Sequence, residues 1–446
     1  MAFLILPFLI FSLFAAYNFT TKPQSAVLFI LLSTLIDTWF VVPVSIKAGL
    51  NIYLNDPLFI LIFLCALYRI LLMGQFKYIS PLWGIYGLLL FYGLFTGLES
   101  FGTAAGVDFR YLFFYWSGGL YFMSFSYTQA LLDKIIKYWL IMCTILLLLV
   151  YFRFVAELLH LPISATWISA DSGDIRFRVI NSGQAYLLCV SIIMLFSRYL
   201  IPNQIRPSKI MVTLFIIAII GVQHRSVWAA TLFALVSATL LPGIKSTKLL
   251  GNLFTIGLLG LILLIPLIYL GYADNLIAMV SKSANRAQDL TSGTFGARVR
   301  GWQYMLKYWL DNSFTNQLFG DPFGGGYAKM RSFPHNFTIQ NLLRVGIVGT
   351  IVFYCFYLQL LTKLYLTMRY SKEEKLYFVL FFMLIITQMT YYIPYGTGPE
   401  HGIILGIAAS LVRRRNNYIT TTNTDNTRHD QYFLKPLPDT MSPKLS

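Results

Sequence analysis

The chain has 446 residues, of which 57% are hydrophobic and only 12% charged, and its mean hydropathy is +0.66. A soluble globular enzyme of this length carries far more polar surface, so that class is excluded. The formal net charge of +16 would suit nucleic acid, but its placement along the chain gives it another meaning.

Continuous apolar runs of about 18–22 residues, the length a helix needs to cross a bilayer, recur from one end to the other. They do not alternate, which argues against a membrane barrel. The first, MAFLILPFLIFSLFAAYNF, lacks a basic start and a small-residue cleavage site, and reads as a retained helix. In chain order the expected spans are 2–20, 24–42, 54–73, 78–98, 111–130, 135–157, 183–200, 208–222, 226–242, 249–272, 336–362, 375–393 and 399–412. The expected fold class is therefore an all-α polytopic membrane protein with about 12–13 transmembrane helices.

Arg413, Arg414 and Arg415 follow the last run and place the C-terminus in the cytoplasm. Counting back, the cytoplasmic loops receive Lys22, Arg69, Lys77, Lys134, Lys137, Arg198, Arg206 and Lys209, while Asp37, Asp56, Glu99, Asp108 and Asp174 fall opposite. The positive excess is thus a topology signal that needs no nucleic acid partner. Long outer loops are expected at 158–182 and 272–334. Within the second, RVRGWQYMLKYWL from Arg298 to Leu310 reads as an interfacial helix. The organisation is 1–175, N-terminal helices; 176–272, central helices; 273–335, a large outer loop; 336–415, C-terminal helices; and 416–446, a Thr/Asn-rich tail expected to be disordered. Cys65, Cys143, Cys189 and Cys355 lie inside apolar runs without CxxC spacing, so they read as packing residues, and no metal motif is present.

Candidate chemistry gathers on one side. GVQHRSVWAA joins two apolar runs through a tight turn carrying His224 and Arg225, and by parity this turn faces the long loop. Arg298 or Arg300 within that loop and His335 at its exit share the same face, although interfacial snorkelling is the plain alternative for each arginine. Asn336, Gln340 and Arg344 follow at i, i+4, i+8 and form one polar stripe on the helix that begins there. Arg344 lies about 12 Å along it, where lipid exposure costs roughly 2.5–3.5 kcal/mol. The stripe should face a wet cavity, or else Arg344 pairs with Asp37 or another buried acid. GDPFGGGY at 320–327 lacks the end of a phosphate loop and reads as a flexible turn; His160, His401 and His429 read as surface or interface residues.

The order of these motifs resembles a known family. HRSVW in a tight outer turn is followed by Arg298-x-x-x-Trp302 in a long loop, a Gly-rich stretch, and then His335-Asn336 at a helix start with Leu342, Gly346 and Gly349 beyond. This is similar to the bacterial O-antigen ligase and O-antigen/exopolysaccharide polymerase (Wzy-type) superfamily, over roughly Arg176 to Gly349. The resemblance implies a C-type glycosyltransferase-like helical fold in the bacterial inner membrane, with the active site facing the periplasm. It implies metal-independent, inverting glycosyl transfer from a polyprenyl-diphosphate-linked glycan, with no cofactor. By position, Arg225 and Arg298 would bind the diphosphate, with Arg300 a second choice, and His335 would act at the acceptor hydroxyl. Arg178, with Asn181, matches a further stretch of the family pattern less closely. Expected partners are the lipid-linked donor, a glycan or lipid A-core acceptor, membrane lipid and a chain-length regulator.

The residue types suit that chemistry independently. A diphosphate leaving group needs charge neutralisation and not the paired carboxylates of a glycosidase. Arginine meets phosphate oxygens in a bidentate fork, and a neutral imidazole can take a hydroxyl proton. Trp167, Trp302 and Tyr327 are candidates for sugar contact. Three readings stay open: a polymerase of repeat units, a ligase delivering finished glycan to lipid A-core, and a transporter of lipid-linked oligosaccharide, which predicts internal repeats and midplane charges.

Overall fold

In the computed structural model the residues described are 14–39, 45–48, 50–159, 161, 167–168, 175–176, 179–201, 204–244, 246–269, 293–327, 334–370 and 374–413. Arg178, His160, His429, residues 270–292 and the tail after Arg413 lie outside them. The protein is mostly helical. In chain order the helices are α1 (Phe14–Thr21), α2 (Pro23–Trp39), α3 (Asn55–Leu71), α4 (Pro81–Phe101), α5 (Thr103–Met123), α6 (Gln129–Leu158), α7 (Ser182–Leu200), α8 (Lys209–Gly221), α9 (Arg225–Ser237), α10 (Ser246–Tyr269), α11 (Gly293–Leu310), α12 (Phe314–Phe319), α13 (Phe337–Tyr370), α14 (Lys375–Tyr391) and α15 (399–413). Two small antiparallel hairpins interrupt this pattern, β1 (Ser45–Ala48) with β2 (Leu50–Tyr53), and β3 (Trp167–Ile168) with β4 (Ile175–Arg176).

Helices fall within every expected span, but fewer of them reach across a bilayer unaided. Pro81–Phe101, Gln129–Ala156, Ser182–Leu200 and Phe337–Met368 are long and apolar enough, and α1 with α2 adds a fifth if their 120° bend belongs to one broken span. Length accounts for four of the missing spans. The helices α3 and α14 have 17 residues and α8 and α9 only 13. At 1.5 Å per residue they cover about 20–26 Å of a hydrocarbon layer about 30 Å thick.

Packing follows small residues and aromatic rings. On α4 and α5, Trp83 and Trp116 exchange indole hydrogen bonds, Nε1 of each donating to the other's carbonyl at 3.2 and 3.1 Å. Each ring lies on a glycine of the facing helix, because a Cβ at Gly87 would come within 2.3 Å of Trp116 and one at Gly119 within 2.8 Å of Trp83. The helix α7 is apolar and buried nearly all round, with α6, α8, α9 and α14 against it. Cys65, Cys143 and Cys189 are buried in this packing, whereas Cys355 is exposed on α13.

One region departs from its expected flexibility. The segment Gly320–Tyr327 is clamped between α4 and α13: Phe323 N–H donates to the Gly93 carbonyl at 3.1 Å and Asp321 N–H to the Leu343 carbonyl at 2.6 Å. Opposite it, α13 is broken at Gly346, whose φ is 64°. A Cβ there would sit 2.2 Å from the Leu318 carbonyl oxygen, and one at Gly320 would sit 2.3 Å from the Arg344 carbonyl carbon. Only glycine on both sides lets the two backbones come this close.

Candidate functional site

Four helices begin at one end of the bundle. Asn181 caps α7 with a reciprocal pair of hydrogen bonds, each 2.9 Å, to Gln184. His224, at the start of α9, places Nε2 3.0 Å from the Ile180 carbonyl, so the starts of α7 and α9 meet. The carboxylate of Glu400, in the first turn of α15, approaches Gly183 of α7, its Oε1 lying 3.8 Å from where a glycine Cβ would stand. Phe337 N–H, at the start of α13, donates to the Tyr392 carbonyl at 2.9 Å. The turn 392–398, between α14 and α15, is the hub that these starts surround.

Arg298 and His335 meet on that hub. Arg298 projects from the first half of α11, its Nη1 donating to the Pro394 carbonyl at 3.5 Å and its Cζ lying 5.3 Å from the centre of the Tyr395 ring. His335 stands edge-on to the same ring, with ring centres 6.3 Å apart at 90°. Its backbone φ is 49°, a left-handed value rare outside glycine. Loss of water around the ring, and then the Arg298 guanidinium, lower the His335 pKa from its ordinary value and favour the neutral imidazole. Arg298 is half-buried and Arg300 exposed. Two residues on, Arg300 points roughly 200° round the helix from Arg298, so of the two loop arginines Arg298 is the one seated on Tyr395.

The remaining expected residues fall into two groups. Arg225 is half-buried and opens α9 next to His224, at the same end of the bundle. Asn336 caps α13, its Oδ1 accepting from Ile339 N–H at 3.1 Å. The polar stripe behind it does not face an open cavity. Gln340 Nε2 donates to the Tyr327 hydroxyl at 3.1 Å. Arg344 is fully buried and ion-paired with Asp108, which also accepts from Gly324 N–H at 3.0 Å. Its other contacts are the Pro322 and Gly326 carbonyls, at 2.9 and 2.8 Å, and the Tyr327 ring at 4.3 Å. Arg344 therefore fastens the clamped segment instead of lining the mouth. The ion pair is the alternative realised, with Asp108 in place of Asp37. Trp302 Nε1 donates to the Pro334 carbonyl at 2.6 Å, tying α11 to the residue before His335.

Sequence reasoning passed over the hub itself. YYIPYGTGPEHG, 391–402, reads as an ordinary turn, although its density of tyrosine, proline and glycine beside a Glu-His pair is a usable signal. His401 is not a surface residue. It is buried, Nδ1 accepts from Gly398 N–H at 2.6 Å, and the ring packs 4.4 Å from Tyr186. Among the described residues no group of three His, Cys, Asp or Glu is placed to hold a metal ion.

Chemically, the end of the bundle combines one guanidinium and one imidazole on a common ring, a second arginine at a neighbouring helix start, and several helix N-termini whose dipoles favour anions. That arrangement can hold a negatively charged group next to a neutral base. No protein-family model and no curated protein matches the chain.

Proposed function

We propose that the protein transfers a glycan from a polyprenyl diphosphate to a sugar hydroxyl at the periplasmic face of a bacterial inner membrane, extending O-antigen or exopolysaccharide repeat units. The observation that carries this reading is the meeting of Arg298 and His335 on Tyr395, at the end of the bundle where α7, α9, α13 and α15 begin. The apolar helices supply the lipid setting that such a donor needs.

In the proposed step the acceptor oxygen attacks the anomeric carbon and the bond from that carbon to the diphosphate oxygen breaks. The electron pair leaves with the diphosphate, and the hydroxyl proton passes to the His335 imidazole. Arg298 and Arg225 neutralise the departing charge, each charge-assisted bond contributing roughly 1.5–3 kcal/mol. A base held below the usual imidazole range is ready to accept a proton at neutral pH. Attack opposite the leaving group inverts the anomeric centre, and the phosphate needs no divalent ion where guanidinium groups supply the charge.

The test is purified protein in proteoliposomes with a polyprenyl-diphosphate-linked oligosaccharide, comparing wild type with R225A, R298A and H335A. Elongated lipid-linked glycan from wild type, lost in all three variants and insensitive to chelator, is the expected result. Full-length product from every variant would sink the site. Transfer only to lipid A-core would identify a ligase, and movement of the oligosaccharide across the bilayer without elongation would identify a transporter.

A further inference from the structure

Arg298 and His335 come from separate segments, Arg298 from the first half of α11 and His335 from the residues just before α13. The middle of α11 is fixed by Trp302 on the Pro334 carbonyl and by packing of Met305 with Tyr327, Ile339 and Leu343. Arg298 lies one turn nearer the helix start, where its contacts are the Pro394 carbonyl and the Tyr395 ring. Tyr395 is itself backed by buried Tyr391, stacked at 5.2 Å and 18°. Tyr391 in turn packs against Tyr186 at 4.7 Å and His401 at 5.4 Å, deep in the bundle. A column of packed aromatic rings thus runs from the core to the mouth, and its last ring bears both groups.

We propose that Tyr395 is a positioning residue: its ring seats the Arg298 guanidinium at a fixed distance from the His335 imidazole, so that two segments act as one site. Cation–π attraction needs the ring face and not the hydroxyl, so phenylalanine should serve and leucine should not. Arg298 from α11 and Tyr395 from the 392–398 turn both face His335. The role assigned to the pair rests on the proposed function, but the seating does not.

The experiment uses full-length protein in detergent as wild type, Y395F, Y395L, R298A and Y395L/R298A. Diethyl pyrocarbonate modifies neutral imidazole, and peptide mass spectrometry separates His335 from the other histidines of the five in the chain. The pH midpoint for His335 should rise in R298A and Y395L alike, rise no further in the double variant, and match wild type in Y395F. A midpoint unmoved in Y395L, or additive shifts in the double variant, overturns the proposal. In the transfer assay Y395L should lower kcat by on the order of 10²-fold, with Y395F near wild type. Absence of transfer by wild type would remove the proposed function while leaving the modification result to decide the seating.

Discussion

Arg344 and Arg298 sit on elements that pack together, α13 and α11, yet their surroundings are opposite in kind. Arg344 is fully buried and has a carboxylate, two backbone carbonyls and an aromatic face. Arg298 is half-buried and, among the described residues, has an aromatic ring and one long carbonyl contact but no carboxylate. A buried guanidinium has to spend its donors on local partners, as Arg344 does. One at the mouth can keep its charge for something that arrives later. Depth in the membrane therefore does not by itself mark a working arginine; the company it keeps does.

The largest expected effect lies on the buried side. Asp108→Ala leaves Arg344 charged and unpaired, which should cost roughly 3–5 kcal/mol, read as loss of monodisperse protein on size exclusion. Next, Gly346→Ala puts a methyl into a backbone with φ 64° that lies against Leu318, and about 1–3 kcal/mol of destabilisation should appear in a thermal melt in detergent. Trp302→Phe removes only the indole hydrogen bond to Pro334 and should cost roughly 0.5–1.5 kcal/mol by the same melt.

At the small end, Arg298→Ala and His335→Ala should change stability by no more than about 0.5 kcal/mol while abolishing transfer. Melting temperatures that fell as far for these two as for Asp108→Ala would erase the contrast between the regions. Because His335 is held below the ordinary imidazole range, transfer should fall only as pH drops through that lowered value. R298A removes a neighbouring cation and should move the acid limb of any residual activity upward, which a pH–rate profile reads directly.

The helical, lipid-facing character of the chain is legible in its apolar runs, and so is the grouping of Arg225 and His335, because parity alone sends their turns to one end. Span length is less legible: the expected spans 208–222 and 226–242, 15 and 17 residues, each fold as an α-helix of only 13. The polar stripe of Asn336, Gln340 and Arg344 was visible by spacing, but spacing does not say whether water or a carboxylate waits opposite. Asp108 lies 236 residues from Arg344, and nothing local announces that pairing. Tyr395 was invisible for a related reason: a tyrosine near a helix end is common, and only the approach of α11 gives this one its task.

The brevity of α8 has a consequence for the lipid. Thirteen residues rise only about 20 Å, whereas the two arms of α13 together extend well beyond a hydrocarbon layer of about 30 Å. Such hydrophobic mismatch draws the leaflet inward beside the short pair α8 and α9. In a bilayer that thinning should lower the phosphate headgroups toward Arg225, at the start of α9.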